Sequence, residues 1–176
     1  MLFKKTILKD AILIEIEKKE DERGFMSRVY DSEIFKSHGL NPNIVQCNIS
    51  FSEKSGTLRG MHYQIEPFKE TKLIRCTRGS IYDVIVDLRK NSPTYKKWIG
   101  VNLNKDDYKM LYVPDGFAHG FITLEDKTEV FYQLSEYFTP EYERGLRWDD
   151  DEFNILWPLE PIIMSEKDLA WKPFED

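Results

Sequence analysis

The sequence is poor in the residues that most often announce a function. It has two cysteines, Cys47 and Cys76, and no CxxC pair, so no disulfide framework is expected and the usage fits a reducing cytoplasm. No apolar run approaches the roughly 20 residues of a membrane-crossing helix, and the N-terminus lacks the apolar stretch of a signal peptide. Basic charge is in the minority: 25 Lys plus Arg against 31 Asp plus Glu, a formal net charge of -6. That balance argues against general binding to nucleic acid or to an anionic membrane surface. No GxGxxG, Walker loop or GxSxG elbow occurs, so a nicotinamide or ATP site of the usual kind and a serine nucleophile are not indicated.

What is present suffices for an ordinary globular domain. The chain has 176 residues, of which 41% are hydrophobic, and at this size folding removes roughly 70% of the unfolded surface from water. A core therefore needs neither disulfide nor structural metal. Aromatic residues, at 14%, suit an interior of pleated sheet or a site that grips flat rings. Residues 11–17, 81–88, 98–103 and 130–134 read as short strands bounded by glycine and proline, which predicts a mainly β antiparallel sandwich or barrel rather than a βαβ array. Helical signal is thin. Residues 31–39 read as one short helix with an Asp or Ser cap and Gly39 as the left-handed stop, and a second turn is plausible at 165–168, with Ser165 as cap. There is no repeat and no linker, so residues 1–176 read as a single domain.

The densest stretch is 46–64, QCNISFSEKSGTLRGMHYQ, where polar residues alternate with small and apolar ones as on a strand lining a cavity. If 58–64 is regular, Arg59 and His62 point to opposite faces; a bend at Gly60 would bring them together. His62 reads either as a half-buried structural histidine or as a general base, since imidazole titrates near physiological pH. His119, in PDGFAHGF, sits between glycines and aromatics and reads equally as site or structure; His38, at the helix end, has a dipole or solvent role. A metal site is not expected: two residues after His62 stands Gln64, and Phe117 and Phe121 flank His119 at the same spacing. Acid-base chemistry without a cofactor remains, with Lys72 and Tyr132 as candidates that otherwise read as a strand charge and a core aromatic. Arg23 and Arg59, each next to a glycine, read as turn residues or as a fork for phosphate oxygens.

Six segments occur in order: DERGF at 21–25, QCN at 46–48, GTLRGMHYQ at 56–64, YDVIVDLR at 82–89 with SPT at 92–94, PDGFAHGF at 114–121, and WP at 157–158 with SEKD at 165–168. Together they resemble the dTDP-4-dehydrorhamnose 3,5-epimerase family over nearly the whole chain. The resemblance implies a cupin-type jelly-roll barrel with a few short helices, a homodimer, a metal-free and cofactor-free site inside the barrel, and a nucleotide-linked 4-keto-6-deoxyhexose as substrate. By motif, His62 would be the base, Asp168 its orienting carboxylate, Lys72 the cation near the C4 oxygen, and Tyr132 the acid on the opposite face. Arg23 and Arg59 would hold the diphosphate, with Gln46, Asn48, His119, Glu143 and Lys167 lining the rest, and Tyr137 would stand next to the ligand. Arg28 takes the place of a Glu that family members tend to carry near the nucleotide, so the base stays open between thymidine and the CDP- or GDP-linked alternatives. Phe138 replaces the second Tyr of a common pair. A mono-epimerase, or a non-catalytic cupin that binds a sugar nucleotide, are the alternatives.

Overall fold

The computed structural model describes residues 1–175. Its strands are β1 (Leu2–Lys5), β2 (Ile12–Glu15), β3 (Lys19–Asp21), β4 (Gly24–Met26), β5 (Gln46–Ser52), β6 (Leu58–Gln64), β7 (Lys72–Arg78), β8 (Ser80–Asp87), β9 (Trp98–Asn104), β10 (Met110–Val113), β11 (Phe117–Thr123), β12 (Thr128–Leu134) and β13 (Glu143–Gly145). The helices are α1 (Ser32–Ser37) and α2 (Glu166–Leu169). One sheet runs β1-β2-β10-β7-β12-β5, a second runs β13-β6-β11-β8-β9, and β3 pairs with β4 as a separate hairpin. The strand pairs are antiparallel. From β5 to β12 the chain passes between the two sheets at almost every connection, the connectivity of a cupin-type jelly roll.

Side-chain alternation divides the strands between two environments. Ile74 and Cys76 of β7, Leu111 and Val113 of β10 and Val130 of β12 meet Ile81 and Ile85 of β8, Leu103 of β9 and Phe117 of β11 between the sheets. The opposite faces are covered as well. Phe35 of α1 packs with Ile14, Leu73, Met110 and Tyr112, while Leu146, Phe153 and Trp157 cover Met61, Val84, Val86 and Ala118. Burial on both faces is why β8 reads as a nearly continuous apolar run. Each large aliphatic side chain so buried contributes about 1.5–3 kcal/mol.

Local signals set the helix ends. Asp31 accepts from the backbone N–H groups of Glu33 and Ile34 at the start of α1, satisfying donors with no partner inside the helix. Gly39, at φ +72°, takes the left-handed turn that ends it. Ser165 caps α2 by accepting from Asp168 N, which fixes the one buried residue of that helix.

Candidate active site

The site begins with an irregularity in β6. His62 stands opposite His119, and Arg59 opposite Phe121, so Gly60 and Met61 together face the single residue Gly120. This is a β-bulge. Residues three apart on a regular strand point to opposite faces; the extra residue puts Arg59 and His62 on the same inner face. Two glycines make the bulge possible. Gly60 has φ +124°, and a Cβ there would lie 2.6 Å from Gly120 Cα and 2.9 Å from His119 O. A Cβ on Gly120 would lie 2.8 Å from Arg59 O.

Between the sheets, where the apolar filling stops, lies a cavity of about 1050 Å³. The five-stranded sheet, β13 included, supplies Arg59, His62, His119 and Glu143, the six-stranded sheet supplies Gln46, Asn48, Lys72 and Tyr132, and the C-terminal segment supplies Lys167 and Asp168. All of these were candidates from the sequence, and the fold brings them to one wall or another of a single space.

His62 Nε2 lies 2.6 Å from Asp168 Oδ1. A carboxylate only accepts, so Nε2 carries a hydrogen, and in the neutral ring the lone pair is on Nδ1. Asp168 Oδ2 also accepts from Gly60 N at 3.3 Å. Burial pushes the Asp168 carboxyl up, but the hydrogen bond and charge of His62 with the bonds from Gly60 and Ser165 outweigh it, and the group sits below the usual Asp range. It is thus held as the anion that an imidazolium needs. His119 Nε2 makes a second such pair with Asp83 Oδ1 at 2.7 Å. Lys72 Nζ donates to His62 O at 3.1 Å and is ion-paired with Glu70 Oε1 at 3.1 Å. Tyr132 is half-buried against the core, and no hydrogen bond holds its hydroxyl among the described residues. Lys167 Nζ bonds both oxygens of Glu143, at 2.7 and 2.8 Å. Arg59 donates to Phe51 O at 3.0 Å and to Ser52 Oγ at 3.3 Å.

Three candidates lie elsewhere. Arg23 is on the β3–β4 hairpin, its side chain 85% exposed and bonded to Asp21 at 2.5 Å. Arg28 Nη1 donates to Asp31, the cap of α1, at 2.9 Å. Neither lines the cavity; the hairpin that carries Arg23 is hydrogen-bonded to neither large sheet. Tyr137 is exposed, and Phe138 lines the cavity in its place. The cause is the grip on segment 137–139: Gln64 Nε2 donates to Tyr137 O, Gln64 Oε1 accepts from Thr139 N, and Gln46 Oε1 accepts from Phe138 N. Sequence reasoning missed Asp83 and Glu70 as parts of the wall or its support, and named Phe138 only as the replacement of a Tyr. Asp83 had a signal, since it interrupts the inward stripe of Ile81 and Ile85.

Among the described residues no three or more His, Cys, Asp or Glu gather as a metal-ligand set, and no helix is long and apolar enough to cross a membrane. A family model described as dTDP-4-dehydrorhamnose 3,5-epimerase matches residues 5–176. The dTDP-4-dehydrorhamnose 3,5-epimerase of Methanothermobacter thermautotrophicus is 46% identical over 177 residues, 99% of this chain and 95% of that protein. The crystal structure of the same-named enzyme of Bacillus anthracis, with TDP and PPi bound, is 42% identical, covers 98% of this chain and 99% of its own, and superposes with a TM-score of 0.94. That of the dTDP-6-deoxy-D-glucose-3,5-epimerase of Legionella pneumophila, in complex with dTDP-4-keto-L-rhamnose, is 34% identical over 98% and 92% of the two chains, with a TM-score of 0.91. Sequence, fold and a cavity walled by the motif residues agree: the chain belongs to the dTDP-4-dehydrorhamnose 3,5-epimerase family, a family of isomerases.

Proposed function

We propose that the chain, as one domain over residues 1–176, inverts C3 and C5 of a nucleotide-linked 4-keto-6-deoxyhexose, dTDP-4-dehydro-6-deoxyglucose by analogy with its relatives, using side chains alone. A proton on the carbon beside a ketone is acidic because the carbanion spreads onto the carbonyl oxygen as an enolate. Catalysis of its exchange needs a base, a donor to the enolate oxygen and an acid. The observation that carries the reading is that base and acid stand on opposite walls: His62, with its carboxylate, on the five-stranded sheet and Tyr132 on the six-stranded one.

In this reading His62 Nδ1 takes the proton from C3 or C5, and Asp168 stabilises the imidazolium that forms. Lys72 places positive charge where the C4 oxygen becomes anionic. Tyr132 returns a proton to the other face, which inverts the centre, and among the described residues its hydroxyl has no hydrogen bond to break first. Loss of any one group lowers turnover by about 10²–10⁴. Arg59 holds the diphosphate, while Gln46, Asn48, His119, Glu143 and Lys167 shape the rest of the cavity. The chain works as a homodimer, offering Arg23 and Arg28, which stand outside their own cavity, to the diphosphate and base in the second copy. Exposed Phe25, Met26, Ile49 and Phe51 support a further interface. Its place is the cytoplasm, supplying sugar nucleotide for a surface polysaccharide.

The test is solvent-deuterium exchange at C3 and C5 of dTDP-, CDP- and GDP-linked 4-keto sugars, followed by NMR, with Tyr132→Phe as the partner variant. Exchange at both carbons of the dTDP sugar, and lost turnover with unchanged dTDP affinity in Y132F, are expected. Exchange at one carbon identifies a mono-epimerase, turnover only with another nucleotide reassigns the base, and no exchange with any of the three overturns the enzyme reading in favour of a binding protein.

A further inference from the structure

Glu70 has a single partner among the described residues. It lies in the connection before β7, buried in the wall of the cavity. Its Oε1 is 3.1 Å from Lys72 Nζ, and its Oε2, sealed from solvent, accepts no hydrogen bond among the described residues. A carboxylate that served only the fold at this depth would have both oxygens satisfied, because a buried acceptor without a donor bears its full desolvation cost. Here one oxygen is bare and the other is given to the lysine.

Lys72 has a matching need. Its side chain is 9% exposed, and a buried ammonium is stable only beside an opposite charge. Its hydrogen-bond acceptor, the His62 carbonyl, is neutral, which leaves Glu70 as the counter-charge. The chain on both sides of Glu70 is pinned: Gln64 Nε2 donates to Phe68 O at 2.8 Å, and Thr71 N donates to Ser135 Oγ at 2.8 Å. The carboxylate therefore occupies a fixed point from which it fixes the ammonium in turn.

We propose that Glu70 is a positioning residue for the epimerisation: it holds Lys72 as a cation in the cavity wall, against the His62 carbonyl, where negative charge develops on the substrate oxygen. The proposal rests on the role given to Lys72 above. Glu70 touches no reacting atom and acts through the lysine. Hydrogen bonds from a charged donor are roughly twice as strong as neutral ones, so a lysine that is displaced or uncharged stabilises an enolate far less.

A double-mutant cycle isolates this. Glu70→Gln and Glu70→Asp are made in the parent and in Lys72→Met, and kcat, KM, deuterium exchange at C3 and C5, and dTDP affinity are measured. E70Q is expected to lower kcat about 10- to 100-fold with KM and dTDP affinity within about threefold, and E70D, which keeps the charge, to recover most of the loss. In the K72M background E70Q is expected to change exchange by less than about twofold, because groups that act as a unit are non-additive. The proposal is overturned if E70Q keeps the parent kcat, or if its full loss persists in K72M. Should E70Q not fold, the K72M/E70L double variant replaces the pair by apolar side chains; it is expected to match the exchange rate of K72M, and a further loss overturns the proposal. The parent separates the two readings: a parent without exchange refutes the assigned reaction and with it the role of Lys72, whereas a normal parent with an unaffected E70Q refutes Glu70 alone.

Discussion

Replacing Gly60 by alanine tests whether the bulge builds the site. At φ +124° the new Cβ would lie 2.6 Å from Gly120 Cα and 2.9 Å from His119 O. Both are backbone atoms of β11, so no side chain can swing away to make room. A side-chain-bearing residue in that conformation costs about 1–3 kcal/mol, and an extra carbon forced into a filled space costs about 1–3 kcal/mol more. Taking the middle of each range gives about 4 kcal/mol, and at about 2–4 °C per kcal/mol for a chain of this size Tm falls by about 8–16 °C. A chain that escapes the clash by losing the bulge slips one residue, which turns either Arg59 or His62 out of the cavity. Turnover then falls by about 10²–10⁴. Thermal unfolding followed by circular dichroism reads the first effect and NMR of the ketosugar the second; dTDP affinity falls with them if Arg59 is the residue displaced. Gly39→Ala is the control, since Gly39 also has positive φ but nothing lies within 4 Å of its Cβ position. It should lose about 1 kcal/mol and keep full turnover. A G60A protein with the Tm and turnover of the parent would refute the argument.

Two further predictions concern charge. Asp168→Asn keeps the shape beside His62 and removes the anion, so turnover should fall by about 10²–10⁴ with little change in dTDP affinity. Because the folded protein holds the Asp168 carboxyl below the ordinary value of an aspartate, its contribution to stability is complete above that ordinary value and is lost as pH falls through the lower folded one. The parent should therefore lose more Tm than D168N between about pH 5 and pH 2, and equal losses would count against a stabilising dyad. Arg59→Ala should weaken dTDP and raise KM about 10- to 100-fold while kcat changes little, as expected for binding energy shared by ground and transition states; calorimetric titration with dTDP measures it, and a loss confined to kcat would place Arg59 at the chemistry instead.

Much of this molecule was legible before its coordinates, where local chemistry decides. The caps Asp31 and Ser165 and the stop at Gly39 depend on neighbours in sequence, and they stand as read. The relation of Arg59 to His62 was left open because the bulge is set by which residue of β11 stands opposite, a matter of pairing between segments some 60 positions apart. The same limit explains Arg23 and Arg59, which carry the same local signal, an arginine followed by glycine, and end in different places: β6 is an inner strand, whereas β3 and β4 pair only with each other. Tyr137 and Phe138 are adjacent aromatics, and amides from β5 and β6 decide which of them faces inward. Glu70 gave no sign at all. In a sequence with 31 acidic residues, a buried one is revealed only by the chain that folds over it.

Pairing of charge is what makes the acidic balance of the whole chain a poor guide to its cavity. Each carboxylate around this space has a basic partner within 3.1 Å: Asp168 with His62, Asp83 with His119, Glu70 with Lys72 and Glu143 with Lys167. Arg59 stands apart, bonded to a carbonyl and a hydroxyl and to no carboxylate among the described residues. Among the described residues its guanidinium is the one fixed cation of the wall whose charge is not already answered from within, and it is exposed where a ligand can reach it. The bulge that turns Arg59 inward beside His62 therefore does two things with one extra residue. It brings an exposed cation into the cavity and sets it on the same wall as His62, so that in the proposed reading a diphosphate held at Arg59 fixes the distance of its sugar from the imidazole three residues on.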